Sequence, residues 1–284
     1  MPTLLALHAH PDDESSKGAA TVARYADAGV RCVLVTATGG EAGDILNPVM
    51  DRPEIRERLS AGRDEELTKA AAIIGFEEVI RLGYRDSGMK DSAANGHADA
   101  LANVPLDHVV GRVVEILRRE RPEIVLGYDE HKRYPHPDHV RIHEIGLAAF
   151  EATADGSRFP EAGPPWEVSK LYAPVFTAHR IRTLHAAVEA RGLESPFSEW
   201  MQRLGEEPED RVITSVEVSA TIERGREALR AHSTQVDPDG FWFRVPIEVV
   251  QDAYPYEDFE LLASRVSLRA TDGATDADLF AGVW

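Results

Sequence analysis

The sequence predicts an α/β fold built on a mostly parallel β-sheet. In the first half of the chain, short apolar runs typical of buried strands alternate with longer stretches in which apolar residues recur at helical spacing. Such alternation is typical of strand–helix–strand units, whose strands all run in one direction. After about Tyr172 the alternation weakens. We therefore expect a Rossmann-like sheet with helices on both faces, followed by a smaller α+β C-terminal lobe.

The individual elements follow from this patterning in chain order. Four apolar runs predict strands at residues 4–9, 30–37, 78–82 and 123–128. Helical spacing predicts helices at residues 15–28, 55–74 and 106–119, and in the C-terminal part at 176–191 and 221–232, with one further strand at 212–218. Right-handed crossovers bring the carboxyl ends of parallel strands to one edge of the sheet. That edge is where ligands bind in open α/β sheets.

Composition limits the possible partners and location. The chain has 284 residues and a formal net charge of -18. This charge argues against nucleic acid or an anionic membrane as a partner, because binding to phosphates depends mainly on Lys and Arg. The single cysteine, Cys32, cannot form an intramolecular disulfide. With no leader pattern and no apolar stretch of membrane-spanning length, the expected location is the cytoplasm.

Two clusters of possible metal ligands follow predicted strands. The first is the segment from His8 to Glu14, with the sequence H-A-H-P-D-D-E, and the second runs from Tyr134 to His139, with the sequence Y-P-H-P-D-H. Exposed His and Asp are common in loops, so either cluster alone would be interpreted as solvated strand-end residues. Two clusters that each contain His-Pro-Asp, each after a strand, favour a metal site at the shared edge of the sheet.

The clusters supply a specific ligand set. His10, Asp13 and His139 together offer two imidazoles and one carboxylate, which leaves a fourth position open for water. This is the pattern of a hydrolytic zinc site, although the same ligands also suit Fe²⁺. The neighbouring Asp12 is then placed to accept a proton from the attacking water as a general base. The alternative for Asp12 is that it only caps the following helix, a position where Asp is common.

These residues also carry a family resemblance. The segments A-H-P-D-D-E, from Ala9, and H-P-D-H, from His136, resemble the LmbE-like (PIG-L) family of zinc-dependent N-deacetylases. Longer stretches, namely residues 8–20, 38–41 with 45–48, and 279–282, resemble the members that act on mycothiol and its conjugates. The resemblance covers nearly the whole chain. One departure is His131-Lys132-Arg133, where the family pattern has Asn-Gly-Gly.

The resemblance implies further roles at the site. His136 is expected to stabilise the oxyanion and protonate the leaving amine, Asp138 to orient the ring of His136, and Tyr134 to add a hydrogen bond to the oxyanion. For sugar binding, the resemblance points to Arg63 and Asp86. By position, Lys17 in the first helix is expected to select the acyl or thiol-bearing part of the substrate, and Glu41 at the end of the second strand is expected to line the pocket. Without the resemblance, Arg63 and Asp86 would be interpreted as solvated charges.

The resemblance also implies the substrate. We expect hydrolysis of the amide that joins glucosaminyl inositol to an S-substituted acylcysteine, so that the partner is a small pseudodisaccharide thiol conjugate. The enzymatic alternatives are removal of the acetyl group from the N-acetylated glucosaminyl inositol precursor and a related amidase reaction in secondary metabolism. A nucleotide-dependent oxidoreductase is disfavoured because no G-x-G-x-x-G follows the first strand. We expect residues 1–175 to form the catalytic domain and residues 176–284 to form the lobe that completes its pocket. The sequence does not predict the oligomeric state.

Overall fold

The computed structural model of the protein describes residues 1–130, 134–204, 211–267 and 277–283. Its strands form a seven-stranded sheet in the order β3-β2-β1-β4-β5-β7-β6. The strands are β1 (Thr3–His8), β2 (Arg31–Thr38), β3 (Glu78–Tyr84), β4 (Ile124–Leu126), β5 (Lys170–Val175), β6 (Ile213–Glu217) and β7 (Tyr256–Ser264).

The sheet is mostly parallel. Neighbouring strands from β3 across to β5 pair in parallel, whereas β7 runs antiparallel to both β5 and β6. The α/β fold with a mostly parallel sheet is therefore confirmed. Since β1, β2, β3 and β4 point the same way, the segments that follow them lie at one edge of the sheet.

Helices cover both faces of the sheet. They are α1 (Asp13–Ser16), α2 (Ala19–Asp27), α3 (Pro53–Arg56), α4 (Leu59–Ile74), α5 (Leu106–Glu120), α6 (Pro137–Ala154), α7 (Ala178–Glu189), α8 (Ser198–Arg203), α9 (Ile222–Ala231) and α10 (Ile247–Ala253). Short 3-10 turns lie at Ala94–Gly96, Pro160–Ala162 and Phe241–Phe243.

Strand alternation divides the core into two layers. In β1, Leu4 and Ala6 pack into a cluster with α2, α4 and α9, whereas Leu5 and Leu7 pack into a cluster with α5 and α6. All four side chains are buried. Successive residues of a strand point to opposite faces, so the uninterrupted apolar run that predicted this strand is the run required for a strand covered on both sides.

Two predicted helices are broken in the structure. The single helix predicted at residues 15–28 is wrong, because the chain forms α1 and α2 with Lys17 and Gly18 between them. Gly18 has φ of +90°, a left-handed conformation that glycine adopts without steric cost and that ends a right-handed helix. The helix predicted at residues 55–74 is likewise divided into α3 and α4. The first break turns Lys17 toward the site described below.

The C-terminal part of the chain is partly built into the main sheet. Strands β6 and β7 extend that sheet beyond β5, while α7, α8 and α10 form a separate apolar cluster around residues such as Leu184 and Val249. The division into residues 1–175 and 176–284 therefore separates strands that share one sheet, and it stays a proposal. Within the described residues, no helix is long and apolar enough to cross a bilayer.

Candidate metal centre

The first cluster turns sharply as it leaves β1. Asp12 has φ of +107°, which is uncommon for a residue other than glycine and marks local backbone strain. The backbone N–H of Ser16 donates to the Asp12 carbonyl at 3.0 Å, and this bond closes the short helix α1. The turn directs the side chains of Asp12 and Asp13 to different partners. Strain of this kind is concentrated at functional sites.

The structure brings the three predicted ligands together. His10 Nδ1 lies 3.4 Å from Asp13 Oδ2, and His139 Nε2 lies 3.4 Å from Asp13 Oδ1. The backbone N–H of His10 also donates to Asp13 Oδ2 at 2.9 Å. All three side chains are buried. Their role as ligands stays a prediction.

The donor chemistry of the cluster fits a divalent cation. Burial lowers the pKa of His139 to about 3 despite the nearby Asp13 carboxylate, so its imidazole is neutral and keeps a lone pair for a metal. Among the described residues, two groups have ligand atoms that all lie within 4.8 Å of one another, namely His10, His136 and His139, and His10, Asp86 and Asp138. Imidazole nitrogens with carboxylate oxygens are the donors that Zn²⁺ and Fe²⁺ take.

His10 lies among three carboxylates. Its Nε2 is 3.1 Å from Asp138 Oδ2 and 3.5 Å from Asp86 Oδ1, on the opposite side of the ring from Asp13. Burial opposes protonation of His10, but hydrogen bonds to Asp13, Asp138 and Asp86 raise its pKa well above the usual value. A site that holds a proton so firmly has the negative potential that a bound cation needs.

Asp12 is not used as a side-chain helix cap. Its carboxylate makes no hydrogen bond to the backbone of α1. Instead, Asp12 Oδ2 accepts a hydrogen bond from Arg63 Nη2 at 3.1 Å. Burial raises the pKa of Asp12, and the positive charge of Arg63 opposes the rise. A carboxylate with a raised pKa takes up a proton more readily, which suits a general base.

Arg63 binds protein groups in this structure. It is only 3% exposed. Besides Asp12, its guanidinium donates to the carbonyl of Pro11 at 2.6 Å and to the carbonyl of Gly40. A Cβ on Gly40, which has φ of +66°, would lie 2.3 Å from Arg63 Cζ. Arg63 therefore connects the loop after β2 to the first cluster. The predicted contact of Arg63 with a sugar stays a prediction.

The second cluster begins α6. His136 Nδ1 accepts a hydrogen bond from the backbone N–H of Asp138 at 3.2 Å, in the capping position of the helix. The proton of the neutral ring therefore resides on Nε2. Burial, together with the charge of the neighbouring His10, lowers the pKa of His136. The structure thus presents His136 as a neutral N–H donor.

Asp138 contacts a different histidine from the expected one. Its carboxylate accepts from the backbone N–H of Ser87 at 2.9 Å and from the Ser87 hydroxyl, and it faces His10 Nε2. It therefore orients His10, whereas its backbone N–H contacts His136. Carboxylates that orient a ligating imidazole in this way also set its basicity. Tyr134 is half exposed, and its ring stacks 6.2 Å from that of His136.

The remaining residues predicted to bind substrate also have partners within the protein. Lys17 Nζ donates to Asp13 Oδ1, and it lies 5.4 Å from the centre of the Tyr128 ring. Glu41 Oε1 accepts from the backbone N–H of Asp86 at 3.0 Å, and Asp86 accepts from the N–H groups of Ala42 and Gly88. Despite burial, hydrogen bonding and the charge of His10 lower the pKa of Asp86. The segment His131-Lys132-Arg133 lies outside the described residues.

Two buried residues that the sequence did not single out support the site. His232 Nε2, at the end of α9, lies 2.6 Å from Glu14 Oε1, and both side chains are fully buried. Glu14 Oε2 in turn accepts the backbone N–H of Asp12 at 3.0 Å. Burial opposes protonation, but the Glu14 carboxylate raises the pKa of His232. Glu14 follows Asp13 directly and belongs to the first cluster of the sequence. His232 occurs singly, 218 positions from Glu14, so nothing in the sequence indicated that the two side chains are in contact.

His232→Ala is expected to destabilise the protein by about 3–5 kcal/mol, since it leaves the Glu14 carboxylate buried without its partner. The free energy of unfolding in urea measures this effect. His97→Ala is the matched control, because His97 is exposed and its loss should change stability by at most about 0.5 kcal/mol. Equal stabilities of the two variants would show that the pair contributes nothing.

Comparison with known proteins agrees with this geometry. The sequence profile of the family described as PIG-L, GlcNAc-PI de-N-acetylase, matches residues 5–150. Mycothiol S-conjugate amidase from Streptomyces coelicolor is 40% identical over 294 residues, with 99% of this chain and 97% of that protein covered. A 1D-myo-inositol 2-acetamido-2-deoxy-alpha-D-glucopyranoside deacetylase from Geodermatophilus obscurus is 35% identical over 290 residues, with 99% and 97% covered.

A solved structure shares the fold. N,N'-diacetylchitobiose deacetylase from Pyrococcus horikoshii superimposes with a TM-score of 0.61 at 19% identity, with 92% of this chain and 83% of that chain covered. At this identity the similarity shows the fold alone. The profile match over the first half of the chain, together with identity of 35–40% over nearly its full length, shows that the chain belongs to the PIG-L family.

Proposed function

We propose that this enzyme, a metal-dependent hydrolase of amide C–N bonds, hydrolyses the amide of mycothiol S-conjugates. The products are a mercapturic acid, which is an S-substituted N-acetylcysteine, and glucosaminyl inositol. The 40% identity to mycothiol S-conjugate amidase over 99% of the chain is the observation that carries this proposal. The proposed setting is detoxification through a small-molecule thiol.

The proposed cofactor is one Zn²⁺ per chain, held by His10, Asp13 and His139. Each histidine has a ring nitrogen 3.4 Å from an oxygen of the Asp13 carboxylate. A bound Zn²⁺ supplies Lewis acidity, lowering the pKa of a coordinated water and polarising the amide carbonyl. Fe²⁺ is the alternative that the same ligands accept.

The side chains around this site have different roles in the reaction. Asp12 accepts the proton of the attacking water as the new C–O bond forms. His136 donates a hydrogen bond from Nε2–H to the carbonyl oxygen as negative charge develops on it, and Tyr134 adds a second. When the C–N bond breaks, the amine leaves with the proton that Asp12 holds. The family resemblance implied this transfer for His136, but burial lowers the pKa of His136, so we propose that its neutral ring acts only as a hydrogen-bond donor. The raised pKa of Asp12 suits a group that must both take and return a proton.

The remaining predicted residues are proposed to act around the reacting amide. Lys17 and Glu41, with Arg63 and Asp86, are proposed to bind or position the substrate. Residues 176–284 are proposed to close the pocket beside residues 1–175. Removal of the acetyl group from the N-acetylglucosaminyl inositol precursor is the second candidate, and the 35% identity to a deacetylase of this type favours it. Both reactions break the same kind of bond and differ in the acyl group.

Substrate preference distinguishes the two candidates. For the zinc-loaded protein, we expect kcat/KM to be highest for an S-benzyl conjugate of mycothiol, lower for free mycothiol and lowest for the acetylated precursor. The reason is that binding energy from the cysteinyl and S-linked groups positions the scissile carbonyl, so that removing these groups lowers turnover as well as affinity. Steady-state kinetics on the three substrates, side by side, measure this order. A higher kcat/KM for the acetylated precursor would favour the deacetylase instead.

A further inference from the structure

A cavity opens beside the candidate metal centre. It has a volume of about 140 Å³ and lies between the start of α2 and the C-terminal helices α7, α9 and α10. We call it the aromatic cleft, and its characteristic lining residues are Phe176, Ile181, Leu184, Phe197, Phe241 and Trp242. The ring of Phe241 contacts those of Phe197 and Trp242, with ring centres 5.6 and 5.4 Å away. The walls of the cleft are therefore mostly apolar and aromatic.

The aromatic cleft adjoins the candidate metal centre through the residues that follow Asp13. Ser15, Ser16 and Lys17 line one of its walls, and they follow Asp13 directly in the sequence. Lys17 belongs to both places, because it lines the cleft while its Nζ contacts Asp13 Oδ1. A substrate whose amide lies at Asp13 can therefore extend past Lys17 into the cleft.

The volume of the cleft corresponds to one small ring. An apolar cavity of about 150 Å³ in a protein core holds a benzene molecule. The aromatic cleft, at about 140 Å³, has the same capacity. The aromatic walls allow offset or edge-to-face contacts with such a ring.

One cation that lines the cleft, Arg180, has no carboxylate partner among the described residues. Arg180 lies over the Phe176 ring, with Cζ 4.8 Å from the ring centre. Its Nε is buried with no hydrogen-bond partner. Two carboxylates also line the cleft: Glu257 accepts a hydrogen bond from the backbone N–H of Thr21, and Asp258 accepts hydrogen bonds from the hydroxyls of Thr177, Ser215 and Tyr254. An anionic group on the ring would find its partner in Arg180.

We propose that the aromatic cleft binds the S-linked group of the substrate and selects a single-ring aryl group, with preference for one that carries a carboxylate. This inference rests on the proposed function, because it assigns a place to the group attached to the sulfur. Binding of the ring there holds the amide at the metal centre, and Arg180 adds an ion pair when the ring is acidic.

Kinetics on three mycothiol conjugates, S-methyl, S-benzyl and S-(4-carboxybenzyl), test the proposal. In the parent enzyme, kcat/KM for S-benzyl should exceed that for S-methyl by roughly tenfold or more, the scale of discrimination by an apolar pocket. Leu184→Trp fills the cleft and should lower this ratio, and so should Val245→Phe, because Val245 also lines the cleft. Arg180→Gln should remove the preference for S-(4-carboxybenzyl) over S-benzyl. Arg182→Gln is the matched control, because Arg182 is exposed on the same helix, and it should change neither ratio.

A binding measurement separates failure of this inference from failure of the proposed function. Calorimetric titration with N-acetyl-S-benzylcysteine should show saturable binding to the parent protein that weakens in Leu184→Trp. If the conjugates are hydrolysed but the benzyl-to-methyl ratio is near one, or is unchanged in both filling variants, the cleft assignment is overturned and the proposed function stands. If no conjugate is hydrolysed, the proposed function fails, and absence of binding by N-acetyl-S-benzylcysteine overturns the cleft assignment as well.

Discussion

Asp12→Asn is expected to lower kcat by roughly two to four orders of magnitude, the usual contribution of a positioned general base. An amide cannot accept the proton of the attacking water, although it keeps the size of the side chain and tolerates the backbone angle at this position. Metal content should stay at the parental level, because Asp12 is not among the proposed ligands. Steady-state kinetics with the metal-loaded protein measure the effect.

Asp91→Asn is the matched control for this variant. Asp91 also has a positive φ, of 67°, and it is exposed, so its substitution tests the backbone effect without the proton transfer. Parental activity of Asp12→Asn would show that Asp12 serves only the turn, and another base would then be required.

The pH dependence follows from the same carboxylate. A general base must be deprotonated, and burial raises the pKa of Asp12 above the usual 3.8 despite the charge of Arg63. Activity should therefore fall, on acidification, at a pH above that at which an ordinary aspartate protonates. This limb of the profile of kcat/KM should be absent in Asp12→Asn.

Alanine in place of His10, Asp13 or His139 is expected to reduce metal occupancy from about one ion per chain and to abolish hydrolysis. Each substitution removes one of three ligands, and a catalytic zinc site has no protein ligand to spare. Inductively coupled plasma mass spectrometry of the purified variants measures the number of metal ions per chain. His143→Ala is the matched control, because His143 lies one turn beyond His139 on α6 and binds the carbonyl of Tyr128 at 2.7 Å.

His136→Ala separates the proposed ligand set from the alternative one. His136 lies within 4.8 Å of ligand atoms of His10 and His139, yet we assign it to the reacting carbonyl. This variant should keep its metal and lose turnover by roughly two to four orders of magnitude. Full metal content in all three ligand variants, or loss of metal in His136→Ala, would contradict the assignment.

Long-range pairing explains the elements that patterning did not predict. Helix α6 begins with Pro137 at its first turn, a known start signal, but its apolar residues face both the sheet and α5, so no single stripe stands out along the chain. Strand β7 mixes polar and apolar residues, and it is a strand because β5 and β6 pair with its two edges. The paired residues lie about 40 to 90 positions apart along the chain.

The sequence by itself determined the local features of this protein. The apolar runs of β1, β2 and β4 required strands buried on both faces, and the position of each histidine cluster just beyond a strand was sufficient to bring His10, Asp13 and His139 to one edge. Family membership was also readable from these two segments. These features can be predicted from the sequence because strand period and turn residues depend on neighbouring positions. The common edge follows from the right-handedness of the crossovers.

Only the tertiary structure decided which side chains hold these residues in place. Arg63, interpreted from the sequence as a surface charge or a sugar ligand, lies buried against Asp12, and His232 reaches Glu14 from the end of α9. Asp138 likewise faces His10 across the site. The physical reason is that a buried charge must find its partner in space, and distance along the chain does not predict which partner the fold will bring.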